Sequence, residues 1–241
     1  MSYVDLKHLL ADLALEAVRD PAEAGWLAVA VACAELATEE QPGVPWPDCL
    51  KRAAILAAPH GWTPGEADVR RLITVGLFSD RGDLIVLPDR FLPNFAYFHR
   101  HAPRVLKAVA ELRGADVSPE VPNEIRVGAA LFNAGLFFEC HEWFEGLWKA
   151  KEGERKEFYH GIVQAAAALY HYEKDNMHGC RTLLRKGRRR LASYPAQFVG
   201  VDLARLQEDL AQWAAHLEGG QRPDDYPRIH LLPLDVANGK G

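Results

Sequence analysis

The chain has 241 residues, 49% hydrophobic and 25% charged, with a formal net charge of −5. That length and apolar content suffice for one or two domains with a proper core, which excludes global disorder. The negative balance excludes wholesale coating of nucleic acid while leaving room for a local basic patch. Cys33, Cys49, Cys140 and Cys180 form no CxxC pair, so neither a zinc finger nor a thioredoxin-like motif is present and a reduced, cytoplasmic chain is expected. The N-terminal stretch mixes acidic residues with apolar ones, unlike a signal peptide. No apolar run reaches the length of a membrane span, and no membrane partner is expected.

In chain order, Leu6 to Val18 and Trp26 to Leu36 repeat apolar residues at helical spacing, with Asp20-Pro21 between them. Gln41-Pro42-Gly43 opens a proline-rich loop. Pro47 then suits the first turn of a helix from about Asp48 to Ala57. Thr63-Pro64-Gly65-Glu66 has capping-box spacing and starts a helix through Val69, Leu72, Ile73 and Val75. Leu77 to Ser79, a turn over Asp80 to Asp83, and Leu84 to Leu87 read as a β-hairpin closed by Pro88.

Helices followed by a small hairpin are the order of a winged-helix module, an α+β arrangement, and Glu66 to Leu87 resembles its recognition helix and wing. Residues 1–114 are accordingly read as a helical, winged-helix-like module. Arg70, Arg71 and Arg81 are then the candidates for nucleic-acid contact. The charge speaks against it: residues 1–100 hold nine Lys or Arg against fourteen Asp or Glu. A winged helix used for protein contact, homodimerisation included, is the alternative.

The aromatic run Phe91 to His101 leads to a helix expected from Pro103 to Arg113, and residues 115–122, with Gly114 before them and two prolines among them, read as a linker. Residues 123–241 form the second part, a five-helix domain of helical hairpins. Its expected helices are Asn123 to Asn133, Leu136 to Ala150, Arg155 to Lys174, a fourth capped by Asn176 and running to Ser193, and Asp202 to Leu217. Lys151 to Glu154 is a tight turn, and residues 222–234 an irregular tail. The fold class is mainly α.

The second helix of that domain carries the chemistry. Stepping by three and four from Phe137 gives His141, Phe144, Glu145 and Trp148, which puts an imidazole and a carboxylate on one expected inward face among aromatics. Buried there, they need partners. Glu139 and Glu142 lie beside that stripe, as further ligands or as solvent-facing carboxylates. The short turn makes the second and third helices antiparallel, so residues whose numbers sum to about 305 lie level. His160 then faces Glu145 and Gln164 faces His141, a polar cluster of His141, Glu145, His160 and Gln164.

The run Phe132-Asn133-x-Gly135-x-Phe137-Phe138-Glu139-x-His141-Glu142-x-x-Glu145-x-x-Trp148, followed by Gly161-Ile162-Val163-Gln164 and Asn176-x-x-Gly179, resembles the bacterial and archaeal helical family called domain of unknown function 309, over about Asn123 to Leu217. The resemblance implies a His-x-x-x-Glu-x-x-Trp site at His141, Glu145 and Trp148, suggested to bind metal, and no established reaction.

Imidazole and carboxylate suit a divalent transition metal, with His141, Glu145 and either His160 or Glu142 as ligands and hydrolysis as one use. Neither the zincin HExxH nor the Glu-x-x-His pattern of di-iron bundles is present. A structural His141–Glu145 pair locking two helices, with no cofactor, and metal-free acid–base chemistry are the alternatives. Arg181, Arg185, Lys186, Arg188, Arg189 and Arg190 form the one dense basic run, a solvated face or a phosphate-binding surface in which Arg181, Arg185 and Arg189 are candidates. The partner is then a small molecule or nucleic acid, and whether the chain is an enzyme stays open.

Overall fold

The computed structural model describes residues 2–114, 116–150, 152–223 and 225–233. The chain divides into two compact units, Met1–Arg113 and Gly114–Gly241. Its described residues are mainly helical with a few short strands, and no helix among them is long and apolar enough to cross a membrane.

In the first unit, α2 (Trp26–Leu36) is apolar almost all round, and Trp26 to Ala34 are buried. A helix without a polar face must be surrounded, and α3 (Trp46–Ala57) and α4 (Glu66–Thr74) pack on it with one face each. Cys33 on α2 and Cys49 on α3 meet there, with their sulfurs 3.2 Å apart. The unit also holds α1 (Ser2–Arg19) and α5 (Phe95–Gly114). The latter begins well before Pro103, the residue expected to open it. Pro103 lies in the helix interior, and the aromatic run from Phe95 onward is its first two turns, which bury Phe95, Phe98 and His101.

The hairpin is displaced from its expected place. Its strands are β2 (Ser79–Arg81) and β3 (Leu84–Val86), and the connection is Gly82-Asp83, with Gly82 at φ +72°. A two-residue loop of this kind needs a positive φ, which glycine adopts without a Cβ clash. A third strand, β1 (Gly43–Pro45), sits inside the expected proline-rich loop and pairs antiparallel with β3, giving the order β1-β3-β2. The expected Thr63 capping box is also shifted. Gly65 is the N-cap, and its backbone N–H donates to the Asp68 carboxylate at 2.9 Å.

The second unit runs α6 (Asn123–Asn133), α7 (Phe137–Ala150), α8 (Glu154–Glu173), α9 (Met177–Leu191) and α10 (Leu203–Glu218), with a two-stranded ribbon of β4 (Gln197–Phe198) and β5 (Val201–Asp202) before the last helix. The α6 end follows its residues: Gly135 has φ +78°, and the Leu136 N–H donates to the Leu131 carbonyl at 2.9 Å, closing the helix with a left-handed glycine. Asn176 caps α9 by accepting from the Gly179 N–H at 2.9 Å. Helices α7, α8 and α9 pack in sequence order, with α6 on α7 and α10 on α9.

The expected linker is part of this unit. Val117 bridges Pro233, and the Ser118 N–H donates to the Leu232 carbonyl at 3.2 Å. The expected irregular tail is held too, because Asn133 at the end of α6 donates to the Ile229 carbonyl at 2.9 Å and accepts from its N–H at 2.8 Å. Ala115 of the linker, Lys151 of the expected turn, and Asp224 and Leu234 of the tail lie outside the described residues.

Candidate functional site

Phe137 and Phe144 of the expected face enter the core, but Cys140 and not His141 lies between them there. Phe137, Cys140 and Phe144 are buried, along with Glu139 at 2% exposure. The ring of Phe144 fills the space over Gly128 on α6, where a Cβ would lie 2.2 Å from it. The small Cys140 lets α6 approach, with its thiol 3.6 Å from the Gly128 carbonyl, and burial pushes that thiol well above its usual range. His141 and Glu145 therefore stand on the flank of α7, their side chains 27% and 30% exposed. The expectation of an imidazole and carboxylate sunk among aromatics is corrected: the buried carboxylate is Glu139, and Glu142 is exposed.

On that flank three donors converge. One ligand atom each of His141, Glu142 and Glu145 lies within 4.8 Å of the other two. His141 Nδ1 is 3.2 Å from a Glu142 carboxylate oxygen. Glu145 is paired instead with Lys149, at 3.0 Å one turn away. Such an exposed i,i+4 pair is worth only about 0.3–0.5 kcal/mol, so it holds Glu145 loosely.

His160 is engaged elsewhere. Its ring stacks on Trp148, with centroids 4.3 Å apart and planes at 27°. Its Nε2 lies 3.2 Å from Gln164 Nε2. Burial lowers the His160 pKa and so favours the neutral ring, whose Nε2 accepts from the Gln164 amide in one tautomer and, with the amide turned, donates to its Oε1 in the other. The four residues expected to form one cluster thus make two neighbouring groups: His141 with Glu142 and Glu145 on α7, and the chain Trp148, His160, Gln164 across α7 and α8.

The arginines proposed for nucleic acid are spoken for in the first unit. Arg70 pairs with Glu66 at 3.2 Å, Arg71 with Glu16, and Arg81 with Asp89 at 2.6 Å. In the second unit Arg181 donates to the Leu217 carbonyl at 3.1 Å, whereas Arg185 and Arg189 are exposed on α9. A hollow of about 560 Å³ between α10 and the tail was not foreseen. It holds His230, whose Nε2 is 3.3 Å from Asp209; one wall is α10 and the other is the tail, a segment without periodicity whose return to the helix no local pattern marks.

The second unit is thus a helical domain with an imidazole–carboxylate group on its second helix. Residues 125–183 match the family described as Domain of unknown function (DUF309). That span runs from α6 into α9 and takes in all three donors and His160. The chain is similar to the uncharacterized protein YpuF of Bacillus subtilis (strain 168), 39% identical over 75 residues, which is 30% of this chain and 43% of that protein. It is also similar to an uncharacterized protein of Aquifex aeolicus (strain VF5), 28% identical over 94 residues, 39% of this chain and 28% of that protein. The chain spans less than half the length of either relative.

Proposed function

We propose that the second unit binds a divalent transition metal on the flank of α7 through His141, Glu142 and Glu145. The supporting observation is the convergence of one nitrogen and two carboxylate donors within 4.8 Å. A mixed imidazole–carboxylate set suits zinc, manganese, iron or nickel rather than calcium. Three protein ligands leave a coordination position open, and a metal so held supplies Lewis-acid activation of water, which makes hydrolysis the reaction class this donor set fits. Lys149 holds one oxygen of Glu145 in an exposed pair that competes only weakly with a metal for that carboxylate. The four cysteines are free thiols, in keeping with a reducing cytoplasm.

The test is elemental analysis of the purified chain, before and after loading with zinc or manganese. A stoichiometric metal is expected, lost in His141→Ala while helical content and melting stay as in the parent. The proposal fails if no loading condition gives more than trace metal.

A second reading concerns the first unit. The strand between α2 and α3 pairs with the far strand of the hairpin, the arrangement of a winged helix. Because Arg70, Arg71 and Arg81 each carry an acidic partner, we read it as a protein-contact module, with self-association as the simplest case, rather than a DNA reader. No shift of labelled duplex is then expected even at low salt, and a salt-sensitive shift abolished by Arg70→Glu would reverse this reading.

A further inference from the structure

Helices α8 and α9 approach more closely than ordinary side chains allow. A Cβ on Gly161 would lie 2.7 Å from Leu191, and one on Gly187 would lie 3.0 Å from the Gly161 carbonyl and 3.1 Å from the Ala165 nitrogen. Residues flanking Gly187 on α9 are therefore brought against α8 at Gln164, and between them they line a hollow of about 390 Å³: Gln164, Lys186, Arg189 and Arg190. Three of these four are cations.

Their charge is not cancelled. Arg190 pairs with Glu157. Lys186 and Arg189 have no carboxylate partner among the described residues, so three cations face one carboxylate. Two polar atoms at this place are also buried without a hydrogen-bond partner, Arg190 Nε and Gln164 Oε1. These leave the wall of the hollow polar and incompletely satisfied, and the exposed ammonium of Lys186 and guanidinium of Arg189 can give an oxyanion charge-assisted hydrogen bonds. Gln164 can add a further donor. Half a turn of its amide, with His160 carrying its proton on Nε2, lets Oε1 accept from the ring and turns the Nε2 group to the free side.

We propose that this hollow between α8 and α9 is a binding site for the phosphate group of a small phosphorylated molecule. The excess of about two positive charges matches a phosphate dianion. The concavity favours a small molecule over a polymer backbone, since ligand pockets begin at about 300 Å³ and a backbone is tracked by an open groove or stripe. Lys186, Arg189 and Arg190 lie beyond the residues matched by the family, which end at Leu183, while Gln164 lies within them, and none of the four is one of the α7 donors.

The test is calorimetric titration of the full chain, treated with chelator, with inorganic phosphate and with glycerol 3-phosphate at low ionic strength, and with chloride as control. Saturable binding of both phosphates is expected. Lys186→Ala/Arg189→Ala should weaken it by about tenfold or more. Arg185→Ala, an exposed change on the same helix outside the hollow, should leave it within about twofold. Melting of the double variant should match the parent, because both side chains are exposed. Binding that survives in His141→Ala keeps this site distinct from an anion held by a metal on α7. Absence of saturable binding by the folded parent would overturn the proposal, as would equal weakening in Arg185→Ala. Preferential binding of a short duplex that neither phosphate displaces would also overturn it.

Discussion

His160 couples the ring stack on α7 to the amide on α8, and its protonation state is written into the packing. Its folded pKa lies below the ordinary histidine value of about 6.5 because the charged ring would be desolvated. Above that value the ring is neutral both folded and unfolded, and it contributes nothing to the pH dependence. As pH falls below it, the unfolded chain takes up the proton first, so stability declines until the depressed folded value is passed. We expect urea unfolding of the parent to shift to lower midpoint between pH 7.5 and 5.5 by more than that of His160→Gln. Equal shifts in the two proteins would show that the stacked ring is not what titrates. His60 in the first unit is lowered in the same direction, by burial and then by Arg113, so its signal must be separated by following the second unit alone.

At the scale of elements, the closest fit is that of α6 to α7. Phe144 is 1% exposed and its ring is backed by Tyr159 at 5.6 Å, so it has nowhere to retreat when a methyl is added at Gly128. Gly128→Ala should cost about 1–3 kcal/mol in a denaturant titration. Much of that cost should return in the double variant with Phe144→Leu, which makes the two changes non-additive. An unchanged midpoint in Gly128→Ala would mean that the ring moves freely. The helices of this unit were legible because each carries strong periodicity and a local stop: Gly135 after α6, Asn176 before α9. The orientation of α7 was not. The expected face, 137-141-144-145-148, and the observed one, 137-140-144, are equally helical and share Phe137 and Phe144, and the choice between them is made by Gly128 on another helix, which no periodicity in α7 reveals. Strand β1 was hidden for a similar reason, since three residues in a proline-rich stretch become a strand only through pairing with β3, some forty residues later. Pro103 misled in the opposite way, as proline more often opens a helix than sits within it.

For the molecule as a whole, the two units divide the chemistry. The second holds the α7 donors and the basic hollow of α8 and α9, and residues 229–233 of its tail are tied back by Asn133 and Val117, so this stretch belongs to the domain rather than trailing from it. Asn133 belongs to the run that carries the family resemblance, and its paired bonds to Ile229 give it a structural task that the motif alone did not disclose. The candidate donors themselves were legible as residue types at helical spacing. Their exposure, and the choice between His160 and Glu142 as third neighbour, were not, because both depend on how α7 is rotated.

The first unit holds a different kind of chemistry in reserve. The hydrogen bond to Cys49 and the burial of both thiols hold Cys33 well above its usual pKa, so while α2 and α3 stay together it is a poor nucleophile. A water-soluble aromatic disulfide reagent can reach it only when those helices part. In a chain carrying Cys140→Ala and Cys180→Ala, which leaves only the thiols of the first unit, the rate of colour release from such a reagent is therefore a clock for the breathing of this half, readable without any introduced label.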